Sequence, residues 1–181
     1  MKFKKFKFKK VRSTNNTAIR IIKKTNCKYG MVISKSQTNG KGQYGRKWIS
    51  HKGNLFVTFF HEVNKIKLSI ATITKLNCLL IKKLISKYTN KKILYKKPND
   101  LFIDKKKICG ILQEIIFMQN KKYLITGIGI NINKSPYIKK CPTTNLNELT
   151  NKHVKINEIE KSLKQIFENN LLKMYNLKVN N

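Results

Sequence analysis

The order of the apolar runs along this chain of 181 residues restricts its fold more than any other sequence feature. Four runs rich in β-branched residues follow one another at about 92–96, 101–103, 107–117 and 122–132, and this spacing predicts successive strands. Residues 67–88 instead carry apolar side chains at helical spacing, which predicts the longest helix of the chain. Because strands follow strands without strict β-α-β alternation, the order predicts an α+β fold with a central mixed β-sheet flanked by helices.

The remaining segments predict the elements around that sheet. Residues 3–11 alternate phenylalanine with lysine, which is typical of an edge strand. Ser13 or Thr14 offers the cap of a helix that runs to about residue 24. Strands are predicted at 29–34 and 54–63 with a loop at 37–47 between them, a turn at 98–100, an irregular connection at 134–151 and a final helix at about 157–175. The length predicts one domain over residues 1–181.

The composition is strongly basic, with 40 Lys plus Arg against 8 Asp plus Glu and a formal net charge of +32. Lysine, asparagine and isoleucine are all abundant, while alanine stands only at positions 18 and 71. This bias is typical of an A/T-rich coding sequence. The charge is therefore weak evidence for nucleic-acid binding, since a solvated basic surface accounts for it.

The lack of targeting signals and the spacing of the cysteines predict a cytoplasmic protein. Lysine or asparagine interrupts every apolar run, so none reaches the length of about 18 residues that a membrane-spanning helix needs. The basic first ten residues lead into no apolar stretch, so they do not predict a secretory signal. The four cysteines form no C-x-x-C pair, and free thiols are predicted.

Residue types that the coding bias depletes are concentrated in residues 40–48. Three of the eight glycines lie there, with Arg46 and the single tryptophan, Trp48. Glycines let backbone amides approach an anion, Lys41 and Arg46 supply positive charge, and Trp48 offers a flat face for a base. The spacing is not that of a P-loop, because Arg46 and Lys47 follow Gly45. A mobile surface loop is the alternative interpretation.

Other segments also carry residues suited to chemistry on a phosphate. Lys96 precedes a turn in which Asn99 and Asp100 offer oxygens to a metal ion or a hydroxyl, although an ordinary β-turn is the alternative. Gly110 interrupts an apolar strand, which indicates a bulge or a ligand against the backbone. Residues 127–133 form a second strand that opens with glycine, and residues 13–15 are also explicable as a helix cap. The three histidines are scattered, so no catalytic triad is predicted.

Taken in this order over about residues 6–133, these motifs resemble the catalytic domain of biotin–protein ligases. The resemblance implies a fold related to class II aminoacyl-tRNA synthetases and lipoate ligases. It implies that biotin and ATP, with Mg²⁺, give biotinyl-5′-AMP and pyrophosphate. A lysine of a biotin carboxyl carrier protein, such as that of acetyl-CoA carboxylase, then accepts the biotin.

The resemblance also implies roles for individual residues. It assigns Lys96 to the biotin carboxylate and the α-phosphate, with Arg46 as a second catalytic cation. The biotin-binding positions are Ser13, Thr14, Asn15, Gln37, Gly40, Lys41, Gly42, Gln43, Lys96 and Gly110. The ATP-binding positions are Lys41, Arg46, Trp48, Asn99 and Asn131. Asp100 is the expected ligand of Mg²⁺.

The sequence also departs from the family pattern. The loop commonly reads G-R-G-R in the family, whereas this chain has Lys41 and Gln43, which predicts faster release of biotinyl-AMP. Lys97 stands where tryptophan is common. Neither an N-terminal helix-turn-helix domain nor a C-terminal β-domain is expected, and a homodimer stays open. The alternatives are a lipoate or octanoate ligase of the same fold, a basic nucleic-acid-binding protein and an inactive ligase.

Overall fold

A seven-stranded mixed β-sheet forms the centre of the fold. The computed structural model describes residues 2–63, 68–118, 120–150 and 153–176, with side chains up to residue 170 in the last helix. The strands are β1 (Lys4–Phe8), β2 (Tyr29–Ser34), β3 (Gly40–Lys41), β4 (Lys47–Trp48), β5 (Leu55–Glu62), β6 (Ile93–Lys96), β7 (Asp100–Ile103), β8 (Lys106–Met118) and β9 (Lys121–Ile130). The sheet order is β1-β2-β5-β9-β8-β7-β6, and β3 pairs with β4 in a separate hairpin. β1 is parallel to β2, and the other neighbouring strands are antiparallel.

The helices of the described residues are α1 (Thr14–Thr25), α2 (Ile70–Ile85), α3 (Leu146–Leu149) and α4 (Ile156–Asn176). α1 begins where Ser13 Oγ accepts a hydrogen bond from the backbone N–H of Asn16, 3.5 Å away. It ends at Asn26, whose left-handed backbone (φ 51°) lets its N–H bond to an earlier carbonyl of the helix. No helix in the described part of the chain has the length and apolarity needed to span a membrane.

The two faces of the sheet are covered differently, because successive strand residues point to opposite sides. α2 and α4 cover one face and form the main core with it; Phe167 of α4 stacks on Phe59 of β5 with ring centroids 4.2 Å apart. α1 covers part of the opposite face through Ala18 and Ile22. The remainder of that opposite face, over β9, β8 and β7, holds the candidate site.

The α+β fold with a central mixed sheet, predicted from the order of apolar runs, is confirmed. β1 lies at the sheet edge as predicted, and β2 has the predicted bounds. The later strands differ from prediction by a few residues at their ends: the last was expected to reach residue 132, but β9 ends at Ile130.

Three predictions about the elements are wrong. α4 has 21 residues and α2 has 16, so the helix after residue 67 is not the longest. α2 begins at Ile70 behind its cap Ser69, and the predicted start at residue 67 lies outside the described residues. Residues 37–47 are not wholly a loop, because β3 and β4 pair there, and strands of two residues are too short to show periodicity. The connection predicted as irregular contains the short helix α3.

Candidate active site

Three glycines form a flat platform on the face of the sheet that carries α1, beside the start of that helix. Gly110 of β8 pairs with Gly129 of β9, and Gly127 lies two residues before Gly129 on the same face. A Cβ atom at Gly110 would lie 2.7 Å from Cζ3 of Trp48, and one at Gly129 would overlap the indole of Trp48. The indole therefore lies directly on the backbone of β8 and β9, which glycine alone permits.

Lys107 brings a positive charge to the edge of this platform. Its Nζ lies 2.8 Å from Asp100 Oδ1 and 5.4 Å from the centroid of the Trp48 ring. The two charged side chains are 19% and 21% exposed, so their interaction is less screened than that of a surface pair. Lys107 is thus a partly buried cation that Asp100 holds beside the indole ring of Trp48.

A β-bulge gives Lys107 this position. Leu101 of β7 pairs with Cys109, but the next residue, Phe102, pairs with Lys107, so Ile108 is an extra residue in β8. Without the bulge, Lys107 and Gly110 would point to opposite faces of the sheet. No role was predicted for Lys107 from the sequence. The sequence signal available for Lys107 was its position three residues before Gly110, in a strand where that glycine indicated a bulge.

The start of α1 forms a polar wall at the other end of the platform. The backbone N–H and Oγ1 of Thr14 donate to Gln37 Oε1 over 2.8 and 3.0 Å, and Gln37 Nε2 donates to Ser50 Oγ. Asn15 lies against Gly127, where a Cβ would overlap its carboxamide. Thr14, Asn15 and Gln37, which the sequence analysis grouped as biotin-binding positions, are therefore neighbours in space.

Asn15 also connects this wall to an acidic residue. Its Oδ1 accepts from Thr58 Oγ1 at 2.7 Å, and its Nδ2 donates to Glu114 Oε2 at 2.6 Å. These bonds fix which end of the carboxamide points to Glu114. Glu114 was not among the predicted site residues, although it lies on β8 only four residues after Gly110.

A cleft of about 540 Å³ separates the loop of residues 39–47 from Leu112, Gln113 and Glu114 on β8. The loop is held by the β3–β4 hairpin and by a 2.7 Å hydrogen bond from the Gly42 N–H to the Arg46 carbonyl. It carries the predicted ligand positions Gly40, Lys41, Gly42, Gln43 and Arg46 along one side of the cleft. The cleft therefore has a basic, glycine-rich wall facing a strand wall that carries one carboxylate.

Some predicted site residues have side chains that already form hydrogen bonds within the fold. Asn131 is 1% exposed, and its Nδ2 donates to the carbonyl of Thr144 at 3.2 Å. Asn99 Nδ2 donates to the carbonyl of Ile111. Ser13 caps α1. Their roles toward ATP or biotin stay predictions.

Lys96 and Asp100 also have partners inside the protein. Lys96 shares a cross-strand row with Asp100 and Gly110, but its Nζ lies 5.0 Å from the centroid of the Phe102 ring. Asp100 pairs with Lys107. The described residues contain no group of three His, Cys, Asp or Glu side chains that could hold a metal ion, so the assignment of Mg²⁺ to Asp100 stays a prediction.

The thiol behind the platform is not suited to nucleophilic chemistry. Burial, reinforced by Cys78 and Asp100 and opposed by Lys107, raises the pKa of Cys109 well above its ordinary value. Burial, with a smaller contribution from Asp100, raises the pKa of Cys78 to about 12. Both thiols are therefore protonated at neutral pH, which disfavours a thiolate mechanism.

Comparisons with known proteins give one family. The family model of the biotin/lipoate A/B protein ligase family matches residues 7–131. The bifunctional ligase/repressor BirA of Bacillus subtilis (strain 168) is 29% identical over 126 residues, which are 68% of this chain and 39% of that protein. BirA of Escherichia coli (strain K12) is 28% identical over 102 residues, 55% of this chain and 32% of that protein. This chain thus spans well under half the length of either relative.

Solved structures with a similar fold are also known. The biotin protein ligase from Aquifex aeolicus in complex with biotin and ATP superposes with a TM-score of 0.80 and 28% identity, over 96% of this chain and 72% of that one. The biotin protein ligase from Leishmania major in complex with biotinyl-5-AMP has a TM-score of 0.79 and 22% identity, over 98% and 84%. The second likeness concerns the fold alone.

Proposed function

This chain belongs to the biotin/lipoate A/B protein ligase family, and from that premise we propose that it is an ATP-dependent biotin–protein ligase. In the first step, a carboxylate oxygen of biotin attacks the α-phosphorus of ATP, and the bond to pyrophosphate breaks. In the second, the ε-amine of a carrier lysine attacks the acyl carbon of biotinyl-5′-AMP, loses a proton and displaces AMP. The name of the Aquifex structure, a ligase with biotin and ATP, supports this choice of substrates.

The observation that carries the proposal is the glycine platform with Trp48 and Lys107 upon it. A carboxylate and a triphosphate repel each other, so the reaction needs a cation that is already in place. Lys107 Nζ is such a cation, since Asp100 holds it at 2.8 Å beside the indole. We assign Trp48 to the adenine, which stacks well on an aromatic ring.

The polar wall suits the bicyclic head of biotin. The ureido ring has two N–H donors and one carbonyl acceptor, and the wall offers hydroxyl and carboxamide groups from Thr14, Asn15 and Gln37. The loop with Gly40, Lys41, Gly42 and Gln43 closes the cleft from the other side. Lys96 and Arg46 supply further charge to the phosphates, which requires the Lys96 amine to leave the Phe102 ring.

Magnesium enters this proposal as the counter-ion of ATP. Asp100 is engaged by Lys107, and the described residues form no cluster of metal ligands. The described residues therefore do not preform a dedicated metal site, and Asp100 would have to leave Lys107 to bind Mg²⁺. Mg²⁺ commonly keeps its waters and binds substrate phosphates with few protein ligands, and we place no catalytic step on a protein-bound ion.

The test is biotin-dependent ATP–pyrophosphate exchange by the purified protein, with lipoate and octanoate as alternative acids. We expect exchange with biotin, lowered about 100-fold or more by Lys107→Ala, because a preorganised charge contributes about that much to rate. Lys106→Ala is the matched control, since Lys106 is the exposed neighbour of Lys107 on β8. Exchange with lipoate or octanoate but not biotin would assign the other branch of the family. No exchange from folded protein would overturn the proposal.

A further inference from the structure

Lys107 and Glu114 place opposite charges on the same face of β8, at the two ends of the candidate site. Glu114 follows Gly110 by four residues, so these two positions share a face and lie about 13 Å apart along the strand. The Lys107 side chain reaches Gly110, since a Cβ atom there would lie 3.2 Å from Lys107 Cε. An acid that lies along the platform therefore meets a cation at one end and a carboxylate at the other.

The polar wall holds the Glu114 carboxylate in place. Asn15 is 3% exposed, and its Nδ2 donates to Glu114 Oε2 at 2.6 Å while its Oδ1 accepts from Thr58 Oγ1 at 2.7 Å. The second carboxylate oxygen, Glu114 Oε1, has no hydrogen bond to any of the described residues, and Glu114 lines the cleft. Glu114 thus presents a fixed negative charge to a ligand in the cleft.

The basic loop gives an acid in this cleft two directions in which to bind. The cations on the side opposite β8 are Lys41, Arg46 and Lys47. A substrate carboxylate is therefore attracted toward the loop as well as toward Lys107, but only a carboxylate near Lys107 lies where the proposed adenylation takes place. Among the described residues that line the cleft, Glu114 alone is acidic. Its charge opposes the attraction of the loop at the end of the cleft beside the polar wall.

We propose that Glu114 is a specificity-determining residue, which orients the substrate acid so that its carboxylate lies toward Lys107 and its uncharged end lies against the polar wall. This inference deepens the proposed function and rests on it. The substrate class is a monocarboxylic acid with an uncharged end opposite the carboxylate. An acid with a carboxylate at each end is disfavoured, because one of the two carboxylates would face Glu114.

The first experiment compares octanoate with octanedioate, two acids of the same length that differ in a second carboxylate. Their dissociation constants are measured through the fluorescence of Trp48, the only tryptophan. Glu114→Gln removes the charge and keeps an oxygen that can accept from Asn15 Nδ2. It should lower the ratio of the octanedioate constant to the octanoate constant about fivefold or more. That factor corresponds to the repulsion between two carboxylates about 4 Å apart in water.

Glu158→Gln is the matched control, because it removes the same charge from α4 on the other face of the sheet, where the Glu158 side chain is 60% exposed. The ratio should stay within about twofold of the wild type in this variant, since solvent screens a distant charge. Glu114→Asp keeps the charge and should keep the ratio. An unchanged ratio in Glu114→Gln, or equal decreases in Glu114→Gln and Glu158→Gln, would overturn the proposal. Absence of saturable octanoate binding to the wild type would overturn it as well.

A second variant tests the same idea without a change at Glu114. Gln43 lines the opposite side of the cleft, so Gln43→Glu adds a carboxylate there and should raise the ratio of the two dissociation constants. If Glu114→Gln gives no cooperative unfolding transition, Gln43→Glu supplies the test. An unchanged ratio in Gln43→Glu would mean that charge in this cleft does not select the acid, and it would overturn the proposal.

The binding ratios need no turnover, so they are independent of the ligase function. In biotin-dependent exchange, Glu114→Gln should lower kcat and KM for biotin by the same factor, because an acid bound in the reverse direction occupies the site without reacting. A raised KM with an unchanged kcat would mean that Glu114 only contacts the ligand, and it would overturn the orienting role. Absence of exchange with any acid, with the binding ratios as expected, would count against the ligase function alone.

Discussion

Gln43 is the residue at which the candidate site departs most from a fully basic loop. It lines the cleft opposite Glu114, and the family commonly has arginine at this point of its G-R-G-R pattern. A carboxamide offers neutral hydrogen bonds, whereas a guanidinium offers a charged planar fork that suits carboxylate and phosphate. An anionic ligand bound in this cleft would therefore have one cation fewer from the loop.

We predict that Gln43→Arg slows the release of biotinyl-AMP about tenfold, because one charge-assisted hydrogen bond contributes about 1.5 kcal/mol or more. The measurement is the dissociation rate of preformed biotinyl-AMP, followed through Trp48 fluorescence. Tyr44→Arg is the matched control, because it adds the same charge at the adjacent position, which is 87% exposed. Equal off-rates for the wild type and Gln43→Arg would contradict this prediction.

His61 is a buried histidine that costs the fold stability at low pH and has no predicted catalytic role. It is 3% exposed on β5, and its ring lies 6.4 Å from the Phe3 ring. Neither ring nitrogen has a hydrogen-bond partner among the described residues. Burial lowers the pKa of His61 to about 3, so the folded protein keeps it neutral while the unfolded chain binds a proton near pH 6.5.

This difference predicts a loss of stability as the pH falls. Between about pH 6.5 and pH 3 the unfolded chain holds the extra proton, so the free energy of unfolding decreases with falling pH. From pH 7 to pH 5 the contribution of His61 is about 2 kcal/mol. Urea unfolding at both pH values measures it, and His61→Phe should remove that part of the decrease. His153→Gln, at an exposed histidine, should retain it; an unchanged decrease in His61→Phe would refute the assignment.

At the scale of elements, the sequence predicted the long ones. β2, β5, β8, β9 and α1 were all located, because a run of β-branched, aromatic and other apolar residues, or helical spacing, continues over five or more residues. The β3–β4 hairpin escaped prediction because each strand has two residues. Thr14, Asn15 and Gln37 came together as expected, but Lys107 did not enter the predicted site. Its contact with Asp100 depends on a bulge that puts two residues, instead of the usual one, between the same-face neighbours Lys107 and Gly110.

Phe3 ties the N-terminal segment to β5 and α4, and these contacts carry the next prediction. Phe3 is buried with its ring centroid 5.1 Å from that of Phe59, and its N–H donates to Glu168 Oε1 at 2.8 Å. Phe3→Ala should lower the free energy of unfolding by about 3 kcal/mol, as expected for removal of a buried phenylalanine. Phe117→Ala, at an exposed phenylalanine, should change it by less than about 0.5 kcal/mol. Urea unfolding with an unchanged m-value measures both, and equal effects would contradict the anchoring role.

At the scale of the whole molecule, the charge is far from balanced. Asp100, Asp104, Glu158, Glu160 and Glu168 all form ion pairs with lysines in the described residues. Most of the 40 basic residues nevertheless face solvent, and the chain has only 8 acidic residues to balance them. Two like charges about 10 Å apart in water repel by about 0.4 kcal/mol. Summed over the surface, this repulsion opposes the compact state.

Salt should therefore stabilise the folded protein. The Debye length falls from about 10 Å at 0.1 M salt to about 3 Å at 1 M, so added salt screens repulsion across the surface before it affects the partly buried pair of Lys107 and Asp100. Raising potassium chloride from about 0.05 M to about 0.5 M should increase the free energy of unfolding by at least about 1 kcal/mol, several times the repulsion of one such pair. Thermal or urea unfolding at constant pH measures this increase. Potassium bromide at the same ionic strength should give the same increase if screening is the cause. Unequal increases in the two salts would indicate anion binding. A decrease in stability in potassium chloride would mean that attractive pairs dominate the surface.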